Sequence, residues 1–211
     1  MGTGGNSMEK KKMEKQIIIA LGREFGSGGH EAAESLAQKY GIQFLDHKLL
    51  EAISNEKNVD ILDLQRYDEK PRNPLLTRTV AGYTSSLEET VAKLQFDYIR
   101  KLAEQGESFV IVGRCGEYIL RKHPAMVSIF VLGNKTTKCK RIMEKYNLSE
   151  EEALRLMKRK DATRKSYHNY YCDGKWGDSR NYDLCINSSN LGVEGVAGII
   201  DDLIRSREGM I

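Results

Sequence analysis

Apolar positions along the chain fall into short runs separated by longer amphipathic stretches. Gln16–Gly22 (QIIIALG) is apolar and β-branched, the pattern of a strand buried on both faces. His30–Tyr40 places Ala33, Leu36 and Ala37 at helical spacing, with Gly41 at its end. A short strand is predicted at Gln43–Leu45 and a helix start at His47–Ile53. Residues 55–84 are polar, contain Pro71 and Pro74, and show no clear period. Ser86–Glu104 reads as a long amphipathic helix, with Ser86 and Glu89 as a capping box and Gly106 beyond its end. Ser108–Val112 (SFVIV) and Met126–Leu132 (MVSIFVL) are further strands. Helices are predicted over Thr136–Tyr146 and from Glu150 onward, the second opened by Ser149 and Glu152 as a capping box. Tyr182–Asn187 is the last strand and Val193–Arg205 the last helix. Strands alternating with helices imply an α/β fold, a parallel sheet covered on both faces. They argue against an all-β sandwich or a four-helix bundle.

With 211 residues, the chain suits one well-buried domain with a small moving part. Its apolar runs are about six residues or fewer, too short for a membrane-spanning helix. The net charge is +3, and four lysines against two glutamates in residues 1–15 account for most of it. The remainder is near neutral, so neither a nucleic-acid partner nor a membrane partner is expected. Residues 1–15 have no apolar stretch of the signal-peptide kind. They read as a disordered tail or an added leader, with Met8 and Met13 as alternative starts. Cys115, Cys139, Cys172 and Cys185 form no CxxC pair, which suits free thiols and a cytoplasmic location. His123 and His168 have no partner at metal-ligand spacing, so no protein-held metal is expected.

The most informative stretch is IIIALGREFGSGGHEAAESLA. A buried strand enters, Gly22, Gly26, Gly28 and Gly29 make the turn, and a helix leaves. Such a turn presents backbone N–H groups and a helix N-terminus to an anion, so Gly26, Ser27, Gly28, Gly29 and His30 are the candidate phosphate cradle. The bland alternative is a tight strand–helix turn with no ligand. The Walker pattern GxxxxGK[ST] is not met: Arg23 stands at its first glycine, Gly29 at its lysine and His30 at its Ser/Thr. Nor is a dinucleotide GxGxxG met, because Glu31 stands at its last glycine.

REFGSGGHEAAESLA, FLDHKLL, VIVGRCGEYIL and KWGDSRNYDLCINSSNLGVEGV together resemble the cytidylate kinase-like family, relatives of the P-loop nucleoside monophosphate kinases. The resemblance runs from about Gln16 to Ile204. It implies a three-layer α/β/α P-loop kinase-like domain over residues 16–208 with a central parallel sheet. It also implies an acceptor-binding helical insertion at about 47–105 and a helical lid at about 150–178. The implied reaction moves the γ-phosphoryl of ATP, with Mg²⁺, to a nucleoside monophosphate such as CMP or to a similar small phosphate-bearing acceptor.

Within that frame Asp46 suits acceptor or magnesium-water binding, and equally an N-cap for the next helix. Arg114 follows a central strand, where ligands of open α/β sheets bind, and matches an acceptor-binding arginine of the family. Cys115 stands where cytidylate kinases carry an aspartate. Arg155–Lys165 (RLMKRKDATRK) resembles the basic lid, with Arg159 and Arg164 as phosphate clamps and Arg155 one turn earlier. Its alternative is a solvated helix face, with Asp161 paired to Arg164 or Lys165. Arg23 is placed to supply the cation that the absent lysine leaves out, and Ser27 to add a hydroxyl. Two other function classes fit the departures from the Walker pattern: a non-catalytic nucleotide-binding or regulatory protein, and a kinase of a non-nucleotide acceptor. The pattern encodes neither the acceptor's base nor an oligomeric state.

Overall fold

The computed structural model describes residues 15–46, 48–57, 60–66, 68 and 87–208. Five strands form one parallel sheet: β1 (Ile18–Arg23), β2 (Gln43–Leu45), β3 (Phe109–Val112), β4 (Met126–Leu132) and β5 (Leu184–Asn187). Their spatial order is β2-β3-β1-β4-β5, so β1 is the central strand. It pairs with β3 from Ile18 against Phe109 to Leu21 against Val112, and with β4 from Ile18 against Met126 to Arg23 against Val131. All four described residues of β3 and the first five of β1 are buried, as their unbroken apolar runs require.

The helices are α1 (Gly29–Tyr40), α2 (Leu49–Lys57), α3 (Ile61–Arg66), α4 (Leu87–Glu104), α5 (Gly116–Ile119), α6 (Lys135–Tyr146), α7 (Glu150–Tyr171) and α8 (Gly192–Glu208). Alternation along β1 sorts side chains to the two faces. Ile19 and Leu21 pack with Ala33, Leu36, Val196 and Ile200 of α1 and α8. Ile18 and Ala20 pack with Leu49, Ile53, Ile99 and Leu102 of α2 and α4. The predicted strands and helices match these elements to within a few residues, and the fold class is the three-layer α/β/α arrangement. The Ser149–Glu152 capping box opens α7, with both reciprocal bonds made. Ser86 of the other predicted box lies outside the described residues, as does much of the 47–105 insertion. Among the described residues, no helix is long and apolar enough to cross a membrane.

One ion-pair cluster ties the first helix to the last. Asp201 of α8 is buried; it takes the Tyr40 hydroxyl at 2.7 Å and pairs with Lys39 at 2.8 Å and Arg205 at 2.9 Å. Burial pushes its carboxyl pKa up, but these partners outweigh burial and hold it below the usual carboxylate value. The stabilisation is therefore present above the unfolded pKa of about 3.9 and is lost as pH falls through the lower, folded value. Asp201→Asn should lower the melting temperature most at neutral pH, and the gap to the wild type should close as pH drops below about 4. Thermal melts of both proteins from pH 7 to 3 check this.

Candidate active site

The cradle lies at the carboxyl end of β1. Gly26 and Gly28 adopt φ of 85° and 80°, the left-handed region that glycine enters without strain. The loop is held from outside by α6 and α7. The Phe25 amide donates to Asp161 Oδ1 at 2.7 Å, and Arg141 Nη1 donates to the Gly26 carbonyl at 2.8 Å. Lys138, buried, bonds Glu24 Oε2 at 2.8 Å, and that oxygen also accepts from the Gly133 amide at 3.0 Å. Arg164 Nη1 donates to the Arg23 carbonyl at 3.3 Å, and its guanidinium lies over the Phe25 ring.

Two hollows meet at this loop. The larger, of about 220 Å³, is lined by the loop, the start of α1, α6 and Arg164. It gathers four cations, Arg23, Arg141, Lys145 and Arg164, against two carboxylates, Glu24 and Glu31. Lys145 already pairs with Glu31 at 2.6 Å. The smaller, a cleft of about 20 Å³ on the other side of β1, is lined by Arg23, Arg114 and Arg164 with Cys115, Glu117, His168 and Tyr182. Arg23 and Arg164 line both hollows.

Arg114 reaches the cleft because the backbone after β3 turns left-handed three times. Gly113, Arg114 and Cys115 have φ of 77°, 55° and 54°. For the two non-glycine residues this strain is about 1–3 kcal/mol each, a feature that concentrates at functional sites. Arg114 is buried and donates to Asp68 Oδ2 at 2.7 Å. Asp46 is buried, with both carboxylate oxygens engaged. Its Oδ1 accepts from the Lys48 amide at 2.9 Å ahead of α2, and its Oδ2 faces His30 Nε2 at 3.1 Å.

Other expected residues are placed differently. Ser27 is buried, and its hydroxyl donates back to the Glu24 carbonyl at 2.9 Å, so it closes the loop and does not face a ligand. Arg155 is exposed and pairs with Glu151 one turn earlier. Arg159 is exposed on the same helix and lines neither hollow. Asp161 turns to the loop amide, with Lys138 at 3.9 Å, where the sequence offered Arg164 or Lys165 as its partners. Sequence reasoning missed Arg141, Lys138 and Lys145 of α6, because their role follows only from the packing of α6 on the loop. It also missed that His168 and Cys172, four residues apart at the end of α7, meet Glu117 of α5. The His-x₃-Cys spacing was the available signal.

Gly29, at the position of the Walker lysine, is packed as a glycine. A Cβ there would meet Arg23 Cβ at 2.9 Å and Val131 Cβ at 3.0 Å. Gly29→Lys should therefore destabilise the protein by about 1–3 kcal/mol, as overpacking does, without tightening nucleotide binding. Urea unfolding and calorimetric titration with ATP measure the two effects; a lysine variant of full stability that binds ATP more tightly would contradict this packing.

The geometry agrees with the chain's similarities. Residues 18–190 match the cytidylate kinase-like family. The chain is 24% identical over 192 residues to cytidylate kinase of Methanococcus vannielii, covering 90% of this chain and all of that one. With cytidylate kinase of Methanocaldococcus jannaschii it shares 23% over 191 residues, covering 89% and 97%. An uncharacterized protein from Eubacterium ventriosum, of known crystal structure, is 42% identical with a TM-score of 0.72, covering 90% of this chain and 99% of that one. Shikimate kinase from Bacteroides thetaiotaomicron shares the fold at 12% identity and a TM-score of 0.52, covering 90% and 98%. With a glycine cradle and converging arginines on a five-stranded parallel sheet, and a match running through nearly all of it, the chain belongs to the cytidylate kinase-like family.

Proposed function

We propose that the protein transfers the γ-phosphoryl of ATP to a nucleoside monophosphate of the cytidylate type. The observation that carries this reading is that Arg23 and Arg164 line both hollows, one beside the glycine cradle and one beside Arg114. A phosphoryl group passing between a donor in the first and an acceptor in the second would travel along these two guanidinium groups. Phosphoryl transfer depends chiefly on such positioning and neutralisation of charge.

In this reading the backbone of Gly26–His30 and Arg141 hold the donor's phosphates. Tyr146, at the rim and stacked on Phe25 at 6.1 Å between ring centroids, offers a face to the donor's base. Arg114 holds the acceptor phosphate, whose oxygen attacks the γ-phosphorus in line as the bond to the β-bridging oxygen breaks. The cleft in this state has room for about one water, so an acceptor enters only when its arginines spread apart. Because Arg164 is bonded to the loop and sits on α7, spreading and closing would move α7 against the cradle. Asp46 is the carboxylate placed to hold a water of Mg²⁺, an ion that neutralises charge on the β- and γ-oxygens when bound. For that task Asp46 Oδ2 would exchange its contact with His30, a half-exposed residue in the first turn of α1, for the water.

The test is turnover with ATP and Mg²⁺ across CMP, dCMP, UMP, AMP and a hydroxyl acceptor such as shikimate, with product followed by chromatography. CMP and dCMP are expected to be the best acceptors. ATP binding without turnover of any acceptor would instead support a non-catalytic role, and turnover of the hydroxyl acceptor alone a non-nucleotide kinase. Arg114→Ala should remove about 2–5 kcal/mol of transition-state stabilisation, read as a fall in kcat/KM for the acceptor, while the Kd for ATP changes little. An unchanged kcat/KM would take Arg114 out of the acceptor site.

A further inference from the structure

We propose that Glu117, His168 and Cys172 form a binding site for a zinc-class divalent ion. The three side chains come from two elements, α5 and the carboxyl end of α7, yet one ligand atom from each lies within 4.8 Å of the other two. All three residues are buried. A carboxylate, an imidazole and a thiol are the donor types that zinc takes in proteins, usually in a four-coordinate arrangement. His168 and Cys172 are one helical turn apart, so a single rigid backbone presents both. The Cys172 amide donates to the His168 carbonyl at 2.9 Å, which holds the end of α7 in register.

The fourth position has room. A cavity of about 290 Å³ opens on the cluster, lined by Tyr118, Arg121, Asp173 and Asn181 besides the three ligands. The Arg121 guanidinium lies 4.3 Å from the Tyr118 ring centroid, and the Tyr118 hydroxyl donates to Asp173 Oδ2 at 2.6 Å. That side of the cavity is thus internally matched, and the three ligand atoms bond chiefly among themselves and to Cys115. Cys115 supplies a second sulfur in hydrogen-bond contact with Cys172, available as an outer partner or a replacement ligand. His168 Nε2 and Glu117 Oε1 bond each other at 2.7 Å. Two ligands of one tetrahedral zinc sit about 3.3 Å apart at the bond lengths such ions adopt, so binding opens this pair by about half an ångström. Glu117 and His168 also line the arginine cleft, so an ion here would fix one wall of it. The site is independent of the acceptor assignment, and its test does not read activity.

Metal-free, reduced protein would be titrated with Co²⁺ and then with Zn²⁺. One Co²⁺ per chain should appear with a thiolate-to-cobalt charge-transfer band and the intense visible bands of a four-coordinate ion, both bleached by one equivalent of Zn²⁺. Cys172→Ser should abolish the charge-transfer band, His168→Gln should weaken zinc by at least about tenfold, and Cys185→Ser should leave both intact. Should the Cys172 variant fail to fold, zinc K-edge absorption on the wild-type protein decides, with a sulfur expected at about 2.3 Å beside histidine nitrogen. A zinc shell of oxygen and nitrogen alone, no thiolate band in folded wild-type protein, or a band that survives Cys172→Ser would overturn the assignment. Each would leave the three groups as a buried hydrogen-bonded cluster joining α5 to α7.

Discussion

The bond from the Phe25 amide to the Asp161 carboxylate is the contact on which the site depends. The loop's own amide bonds are long, Ser27 to the Glu24 carbonyl at 3.3 Å and Gly29 to Ser27 Oγ at 3.4 Å, so they stiffen it only weakly. Here the stiffening comes from neighbouring helices. Asp161 takes one amide at the loop's edge, Arg141 takes the Gly26 carbonyl, and Lys138 anchors Glu24. Burial raises the Asp161 pKa, while the Phe25 amide and the Lys138 and Arg164 charges work the other way. The loop, α6 and the middle of α7 are thus joined by side-chain bonds on two sides of the turn.

This arrangement also explains how a cradle without the Walker lysine keeps a positive field. Four cations line the larger hollow, and three of them come from α6 and α7, over a hundred residues from the loop. Glycine at position 29 is then a packing requirement, with Arg23 and Val131 filling the space a side chain would need. The charge has moved from the loop to the helices that hold it.

On the other side of β1, strain does the positioning. Two consecutive non-glycine residues in the left-handed region bring Arg114 into a cleft shared with Arg23 and Arg164. Three guanidinium groups close together are repulsive unless carboxylates or a ligand anion separate them. Asp68 serves Arg114, and Gln95 braces Asp68 at 2.9 Å. The Tyr167 hydroxyl donates to Gln95 at 3.4 Å, and its ring lines the cleft. Trp176 likewise sets its edge on Phe130, at 5.3 Å between centroids.

How much of this was legible along the chain follows from the range of the forces involved. Strands, helices, the Ser149–Glu152 box and the glycine turn are local, set by hydrophobic period, capping chemistry and permitted φ, and they can be read from neighbouring residues. The left-handed turn at Gly26 and Gly28 and the strand-end position of Arg114 were legible because glycines and a strand's end leave a signature in a few consecutive residues. The basic run of α7 gave only a helix with many cations. Its folding against the loop turned Arg164 inward and left Arg155 and Arg159 outside, a choice made by which face of α7 meets Phe25. The contributions of α6 and the approach of Glu117 to the His168–Cys172 pair have no local signature, because they join segments far apart in sequence. The sequence by itself determined the sheet, the glycine turn and the family; only the tertiary structure decided which charges surround the turn, because long-range packing alone sets which side chains share a hollow.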